Sequence, residues 1–363
     1  MKLFYLFLIA ASVLFAFSCK KDSGSGPTTT SRPPATHSLN NAITSISASG
    51  EFVATAIDTT LTVPAITITM PDGADLHTVI LNFSLTANVS ATINNSPVKS
   101  GDVIDLTQQL NFTVTSADNS GRTTFKILPQ TELQYFGVGG NILNQKSLNK
   151  TYNYYVDQFD GSTFQAINCG PTVSTMAIKW ADSTFTRTPL DARNEILPGG
   201  GWWYTGNIQN YLSEHSINNS VDTLADLPGL VKQSINNGDA VILCLDMYSV
   251  PYNPLIYEHT QKFYTTLAAG WGHFILIKGY RETNTNFYLE AYDPYSGGLR
   301  YTALGGNQLF GRDRYYRADD IKRATDVWWP YAIVVAPKGQ KVISSSRLKV
   351  NTIHKAIPEA RGQ

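Results

Sequence analysis

Three residues have side chains and settings suited to acyl transfer: Cys169, His273 and Asp293. Cys169 stands in Asn168-Cys169-Gly170-Pro171-Thr172, ahead of Val173, Met176, Ala177 and Trp180. These four apolar positions repeat at i, i+3, i+4 and i+7, the spacing of one helix face. Pro171 suits a first helical turn, where its missing N–H costs nothing. Cys169 is therefore predicted at a helix N-terminus, where unpaired N–H groups and the helix dipole favour a nucleophilic thiolate. Gly170 removes bulk beside the sulfur, leaving room for a substrate backbone. Taken alone, the segment reads equally well as a buried cysteine opening a core helix.

His273 opens the apolar run Phe274-Ile275-Leu276-Ile277 after Gly270 and Gly272. Asp293 closes Phe287-Tyr288-Leu289-Glu290-Ala291-Tyr292 ahead of Pro294. The polar stretch 281–286 between them predicts a hairpin centred on Thr283, in a register that sets His273 directly opposite Asp293. Opposed residues have Cβ atoms roughly 4.5–5.5 Å apart, within reach of an imidazole–carboxylate hydrogen bond. Asp293 would orient the ring and stabilise the imidazolium, while His273 takes the proton of Cys169. Singly, each has an ordinary reading: a hydrogen-bonded core histidine, an Asp-Pro strand terminator. Together, a helix-start cysteine, a strand-start histidine and an acid on the adjoining strand point to a cysteine hydrolase.

The chain that must position them has 363 residues, enough for two domains. Its 28 basic and 28 acidic residues balance, and the sequence has no basic stripe, so no nucleic-acid partner is expected. Lys2 and the apolar run Leu3 to Phe17 form a targeting segment, shorter than the roughly 20 residues of a spanning helix. Ala16 and Ser18 precede Cys19, and Lys20-Lys21-Asp22 follow. The segment resembles a bacterial lipoprotein signal, cut before Cys19 and lipidated there, although Phe17 and the lack of Leu three residues upstream depart from the usual pattern. An ordinary secretory signal with a chance cysteine is the other reading.

The organisation reads as signal peptide 1–19, flexible linker 20–40, β-sandwich 41–130, α+β domain 131–340 and tail 341–363. The linker is rich in Ser, Gly, Pro and Thr and cannot bury a core. Residues 41–130 alternate short β-branched runs with turns such as Pro71-Asp72-Gly73, Asn94-Asn95 and Asp118-Asn119-Ser120-Gly121, the texture of a sandwich; His77 reads as solvated. Beyond 131, helices are predicted over 170–181, 206–215 and 227–236, and strands over 240–246, 273–280, 287–293 and 331–336. Cys244 falls in a continuous apolar run, a buried strand in which cysteine behaves as a small hydrophobe. No metal-type Cys/His spacing occurs, and the chemistry calls for no cofactor and no metal.

The motifs Asn168-Cys169-Gly170-Pro171-Thr172, Gly272-His273-Phe274 before Gly279-Tyr280, and Tyr292-Asp293-Pro294 before glycines resemble, in that order, the bacteriocin-processing-type cysteine peptidases. These are peptidase family C thirty-nine and its stand-alone relatives in the papain-like superfamily, and the resemblance spans roughly residues 154–337. It implies Cys169 as nucleophile, His273 as general base and acid, and Asp293 as orienting residue. It also implies an upstream glutamine donating to the oxyanion, Gln158 or alternatively Gln165, beside the Cys169 N–H. An aromatic strand ending in Gln favours Gln158, at a longer spacing from Cys169 than the family's. Residues 41–130 resemble, in texture and placement, the immunoglobulin-like modules of Bacteroidetes surface lipoproteins.

The implied fold class is an all-β immunoglobulin-like sandwich followed by an α+β papain-like cysteine peptidase domain. The implied function is a secreted, lipid-anchored peptidase of the cell envelope, in the outer membrane, with a peptide or protein substrate. Two alternatives stay open: a peptidoglycan amidase or endopeptidase (or a transglutaminase-like acyltransferase), and a catalytically inactive cell-surface binding protein. Trp202-Trp203-Tyr204 and Trp328-Trp329 read as core or rim. Asp246 reads as a solvated cap, His259 as a surface histidine and Arg312-Asp313-Arg314 as a solvated salt-bridge run.

Overall fold

The computed structural model describes residues 38–255, 257–301, 304 and 307–343. The signal segment with Cys19, the linker up to residue 37 and the tail from 344 lie outside the described residues. Among the described residues no helix is long and apolar enough to cross a membrane.

Residues 38–131 are strands and turns. Strands β1 (Ile43–Ala48), β4 (Val79–Leu85) and β7 (Asp102–Ile104) form one sheet in the order β1-β4-β7. Strands β2 (Val53–Asp58), β3 (Ala65–Met70), β5 (Val89–Ile93), β6 (Ser96–Pro97), β8 (Leu110–Ser116) and β9 (Arg122–Thr131) form a second, ordered β2-β3-β9-β8-β5-β6. Alternation explains the layering: Val79 and Leu81 are buried while Ile80 between them is exposed, as a strand covered on one face requires. Leu81 and Ile104 from the first sheet share one core with Ile66, Phe112 and Phe125 from the second. Every pairing is antiparallel except β3 with β9. Asn94 and Asn95 close the β5–β6 hairpin with φ of 49° and 69°, the left-handed pair that such a two-residue turn demands.

Thr131 caps α1 (Glu132–Tyr135), with Gln134 reaching back in a capping box. The rest is an antiparallel sheet with helices on both faces. Its strands are β10 (Ile142–Ser147), β11 (Asn219–Thr223), β12 (Ala240–Asp246), β13 (Gly272–Thr283), β14 (Phe287–Tyr292), β15 (Arg314–Arg317) and β16 (Tyr331–Val335). They run β11-β16-β12-β13-β14-β15, with β10 beside β13. All seven residues of β12 are buried, because Ile242 and Cys244 face one helix layer and Val241, Leu243 and Leu245 the other. The first layer holds α2 (Cys169–Ala181), α3 (Pro189–Ile196) and α4 (Thr205–Glu214); the second holds α5 (Leu227–Asn237) and α6 (Ala318–Trp328). Helices α2, α4 and α5 fall within about a residue of the predicted spans. Elements α3, α6, β10, β11 and β15 go beyond the sequence reading.

The β13–β14 register differs from the expected one. Tyr280 pairs with Leu289 and, past an irregularity at Lys278, Ile277 pairs with Ala291 and Leu276 with Tyr292. Asp293 follows on from this register beside Ile275, two positions along the same strand face from His273. The physical reason is the turn: Glu282 pairs with Phe287 and residues 283–286 close the loop, so the hairpin is centred beyond Thr283, and the irregularity at Lys278 takes back only one residue of that offset. Lys278 is fully buried and bonds Glu290, Asp313 (2.8 Å) and Asn149 (2.6 Å). Glu290 also takes Arg281 (2.7 Å) and the Ser147 hydroxyl. The run Arg312-Asp313-Arg314 is thus only in part solvated: Arg312 is partly exposed, Asp313 serves this network, and Arg314 has no exposed surface.

Burial would raise the Glu290 carboxyl, but Lys278 and Arg281 override it and hold it down at about 2. The stabilisation is present above the ordinary value of about 4.3 and is lost as pH falls toward about 2. Glu290→Gln should cost about 3–5 kcal/mol at pH 7, because Lys278 keeps a buried charge without its main partner. Chemical denaturation across pH 2–5 checks this: the variant's stability should vary less with pH there than the parent's.

Candidate active site

Cys169 is the first residue of α2, and its N-cap, Asn168, makes no side-chain cap bond to the helix. The short helical turn Gln165–Ile167 leads into it. Almost all of α2 is buried, from Cys169 through Ile178 together with Trp180, so the helix is fixed by packing on the sheet rather than by capping. A Cβ on Gly170 would lie 2.5 Å from Trp203 Cβ. The glycine therefore makes room for Trp203, which is buried, while Trp202 beside it is exposed. This corrects the expectation that Gly170 leaves space for substrate.

His273 is the second residue of β13 and is buried. Asp246 fixes its approach by accepting from the Gly270 and Trp271 N–H groups at 2.9 and 3.0 Å. Asp246 is itself buried, a correction to the solvated cap. The His273 ring gives Nε2 to Asp293 Oδ1 at 2.8 Å, which turns Nδ1 to the other side of the ring. Cys169 also acts on the ring, raising the imidazole after Asp293.

Asp293 has no exposed surface. Besides His273, Oδ1 accepts from the Tyr295 N–H (3.0 Å), and Oδ2 accepts from the hydroxyls of Tyr316 (2.7 Å) and Tyr264 (3.1 Å). Its backbone is held too: the Asp293 N–H donates to Gly311 O, and its carbonyl accepts from the Tyr155 hydroxyl, both at 2.8 Å. Gly311 has no Cβ at the point where that carbonyl lies. Beyond it, the N–H groups of Ser296, Gly297 and Gly298 converge on the Asp157 carboxylate, with both glycines at positive φ.

These surroundings set the charges. Burial pushes the Asp293 carboxyl up, but His273, Tyr316 and the Tyr295 N–H outweigh it and hold it low. Burial pushes the His273 imidazole down, but Asp293 and then Cys169 outweigh it and raise it to about 9. An anionic Asp293 and a protonated His273 are therefore the resting pair at neutral pH. Burial pushes the Cys244 thiol well up, so Cys244 stays an unreactive thiol under the site.

Gln158 is buried and links both arms: its N–H donates to Pro294 O (2.8 Å), and its amide nitrogen donates to Gln165 O (3.0 Å) and Ala166 O (3.3 Å). Gln165 is half-buried, and its side-chain oxygen accepts from the Gly161 N–H at 2.9 Å. His259, expected at the surface, has no exposed surface; its ring stacks 3.7 Å from Phe136 and 4.7 Å from Tyr301. Burial and the Arg314 charge push it well below its ordinary range, so it is a neutral packing histidine. His77 is exposed beside Asp105. A polar cavity of about 400 Å³ has Asp72, Glu132, Arg281 and Arg312 on its walls, and neither Cys169 nor His273 lines it. Sequence reasoning missed Tyr264, Tyr316, Asp157 and Arg193, none of which lies in a recognisable motif.

The sequence matches no protein-family model and no curated protein. Among solved structures, the chain is similar to a Bacillus anthracis protein provisionally described as a C39-like peptidase, at 14% identity and TM-score 0.36, over 54% of this chain and all of that one. It is similar to a Bacteroides thetaiotaomicron protein provisionally described as a glycoside hydrolase, at 13% identity and TM-score 0.23, over 84% of this chain and 97% of that one. It is also similar to a Bacteroides fragilis protein provisionally described as secreted, at 15% identity and TM-score 0.20, over 25% of this chain and 94% of that one.

The His273 shift has a testable sign. A raised imidazole stabilises the fold fully below its ordinary value of about 6.5, and that contribution is lost as pH rises through about 9. In Asp293→Asn the larger attraction goes while burial and Cys169 remain, so the His273 titration followed by NMR should drop well below about 9. A midpoint unchanged by the substitution would contradict the pairing.

Proposed function

We propose that the chain is a secreted, lipid-anchored cysteine peptidase with a papain-like catalytic domain and an immunoglobulin-like spacer. The observation that carries this reading is a buried cysteine at a helix start, whose thiol acts on a buried histidine that a fully buried aspartate holds at 2.8 Å. That arrangement serves acyl transfer. Cys169 Sγ, having given its proton to His273, attacks the peptide carbonyl carbon, and the carbonyl electron pair moves to oxygen. The tetrahedral oxyanion collapses, the C–N bond breaks, and the His273 imidazolium protonates the leaving amine. Neutral His273 then takes a proton from water, the hydroxide attacks the thioester, and Sγ leaves as thiolate. Asp293 keeps the ring oriented and supports the imidazolium in both halves.

The oxyanion is assigned to the backbone N–H groups at the start of α2 and to Gln158, with Gln165 as the alternative. Gln158 is preferred because it spans both arms of the site; to serve, it must exchange one carbonyl bond for the oxyanion. The motif order over residues 154–337 supports a peptide or protein substrate, and the apolar run before Cys19 supports anchoring in the outer membrane through that residue.

Alkylation of Cys169 by iodoacetamide tests the reading, with each thiol followed separately by mass spectrometry. Labelling below pH 7, well under the free-thiol value of about 8.5, should be fast in the parent and markedly slower in His273→Ala. Labelling only near pH 8.5, and indifferent to His273, would sink the peptidase and favour a cell-surface binding protein.

A further inference from the structure

Arg193, on α3, has no exposed surface, and among the described residues it has no carboxylate partner. A buried cation without a counter-charge is costly and needs an explanation. Its donors go to the Asn168 side-chain oxygen (3.0 Å), the Ile167 carbonyl (3.2 Å) and the Gly201 carbonyl (2.7 Å). The guanidinium also lies 5.7 Å from the Phe164 ring and 5.8 Å from the Trp203 ring. These partners bracket the nucleophile. Ile167 and Asn168 come immediately before Cys169, and Trp203 fills the space over Gly170, immediately after it.

We infer that Arg193 is the positioning residue of the nucleophile: it locks the Ile167–Asn168 turn and the Gly201–Trp203 arm around the start of α2, and gives the Cys169 thiolate a second cation beside His273. The inference rests on the cysteine-hydrolase reading. The titratable and charged groups on the elements packed around Cys169 are His273 on β13, Cys244 on β12 and Arg193 on α3, and of these Arg193 is the one that holds the residues just before the cysteine. Burial lowers the Arg193 pKa, and the charge on Cys169 is what opposes that. A guanidinium keeps its proton where an imidazole loses one. Arg193 therefore holds its charge at a pH where His273 has become neutral. Asp293 cannot do this work, since it acts on the sulfur only through the His273 ring.

The test compares Arg193→Gln and Arg193→Lys in the full chain, with Cys169 alkylated across pH 5–10 by neutral iodoacetamide and by anionic iodoacetate. Folding is checked by near-ultraviolet circular dichroism. Arg193→Gln should slow iodoacetamide labelling at pH 6 by about tenfold, as expected for losing a cation beside a thiolate, and shift the profile to higher pH. Arg193→Lys should recover only part of the rate, because it restores the charge but not the fork that holds Asn168, Ile167 and Gly201 together. A folded Arg193→Gln variant with the parent's profile overturns the inference. If Arg193→Gln does not fold, the parent at pH 10 still decides. There His273 is neutral, and the iodoacetate-to-iodoacetamide ratio at Cys169 should exceed that of glutathione about fivefold through local positive charge. A ratio equal to glutathione's overturns the inference. A parent labelled at pH 6 no faster than a free thiol sinks the hydrolase reading itself, while the pH 10 ratio still judges Arg193.

Discussion

A carboxylate removed entirely from water must be met by donors on every side, and Asp293 draws those donors from separate stretches of chain. His273 reaches it from β13, Tyr316 from β15 and Tyr264 from the long connection before β13, while Tyr295 closes from its own loop. Burial pushes the Tyr264 and Tyr316 hydroxyls well up, and the Asp293 charge pushes them further, so both remain donors throughout the working range. The histidine is thereby aligned by a charge that cannot move, and α2 sets the cysteine against it. The helix layers serve that alignment more directly than they serve any surface.

Much of this was legible because short-range patterns carry it. The i, i+3, i+4, i+7 set from Val173 to Trp180 placed α2, and the unbroken apolar run of β12 announced a strand covered on both faces. Cys169, His273 and Asp293 stood out because each begins or ends such a pattern. The partners that hold them did not, since Tyr264, Tyr316 and Arg193 lie 29, 23 and 24 residues from the groups they serve, and a lone tyrosine or arginine has no period. The Lys278 bulge was invisible for a similar reason: only the pull of Glu290 and Asp313, from other segments, makes an extra lysine welcome inside a sheet. His259 was placed at the surface because it lies in a loop, and Asp246 because it ends a strand, and tertiary packing overrode both. Helix α3 did carry a signal, the Thr188-Pro189 start with Asp191 three residues past the cap, which is a capping box that the reading passed over.

The two kinds of buried charge in the molecule follow different rules. Lys278, Arg281, Glu290 and Asp313 neutralise one another in a network that joins β10 to β13 and β14, and their worth is specificity of register as much as stability. Asp293 with His273 is a pair left able to exchange a third charge with a thiol. The first cluster has no group free to react; the second has a sulfur at its open end.

Strand β13 also has a mechanical meaning. Its twelve residues span roughly 40 Å at about 3.3 Å each, with His273 near one end and Thr283 at the other. Along one edge it is spliced, pairing with β12 through Ile277 and with β10 from Gly279 onward. Tension along the chain from the N-terminal sheets would first load Leu133, Phe136 and Val138 against Tyr288 and Tyr315, and then meet β13 through β10 as shear, spread over a row of hydrogen bonds rather than one at a time. The same rod that carries the imidazole is thus one of the beams that carry the N-terminal half, and the bulge at Lys278 divides the length held by β10 from the length held by β12.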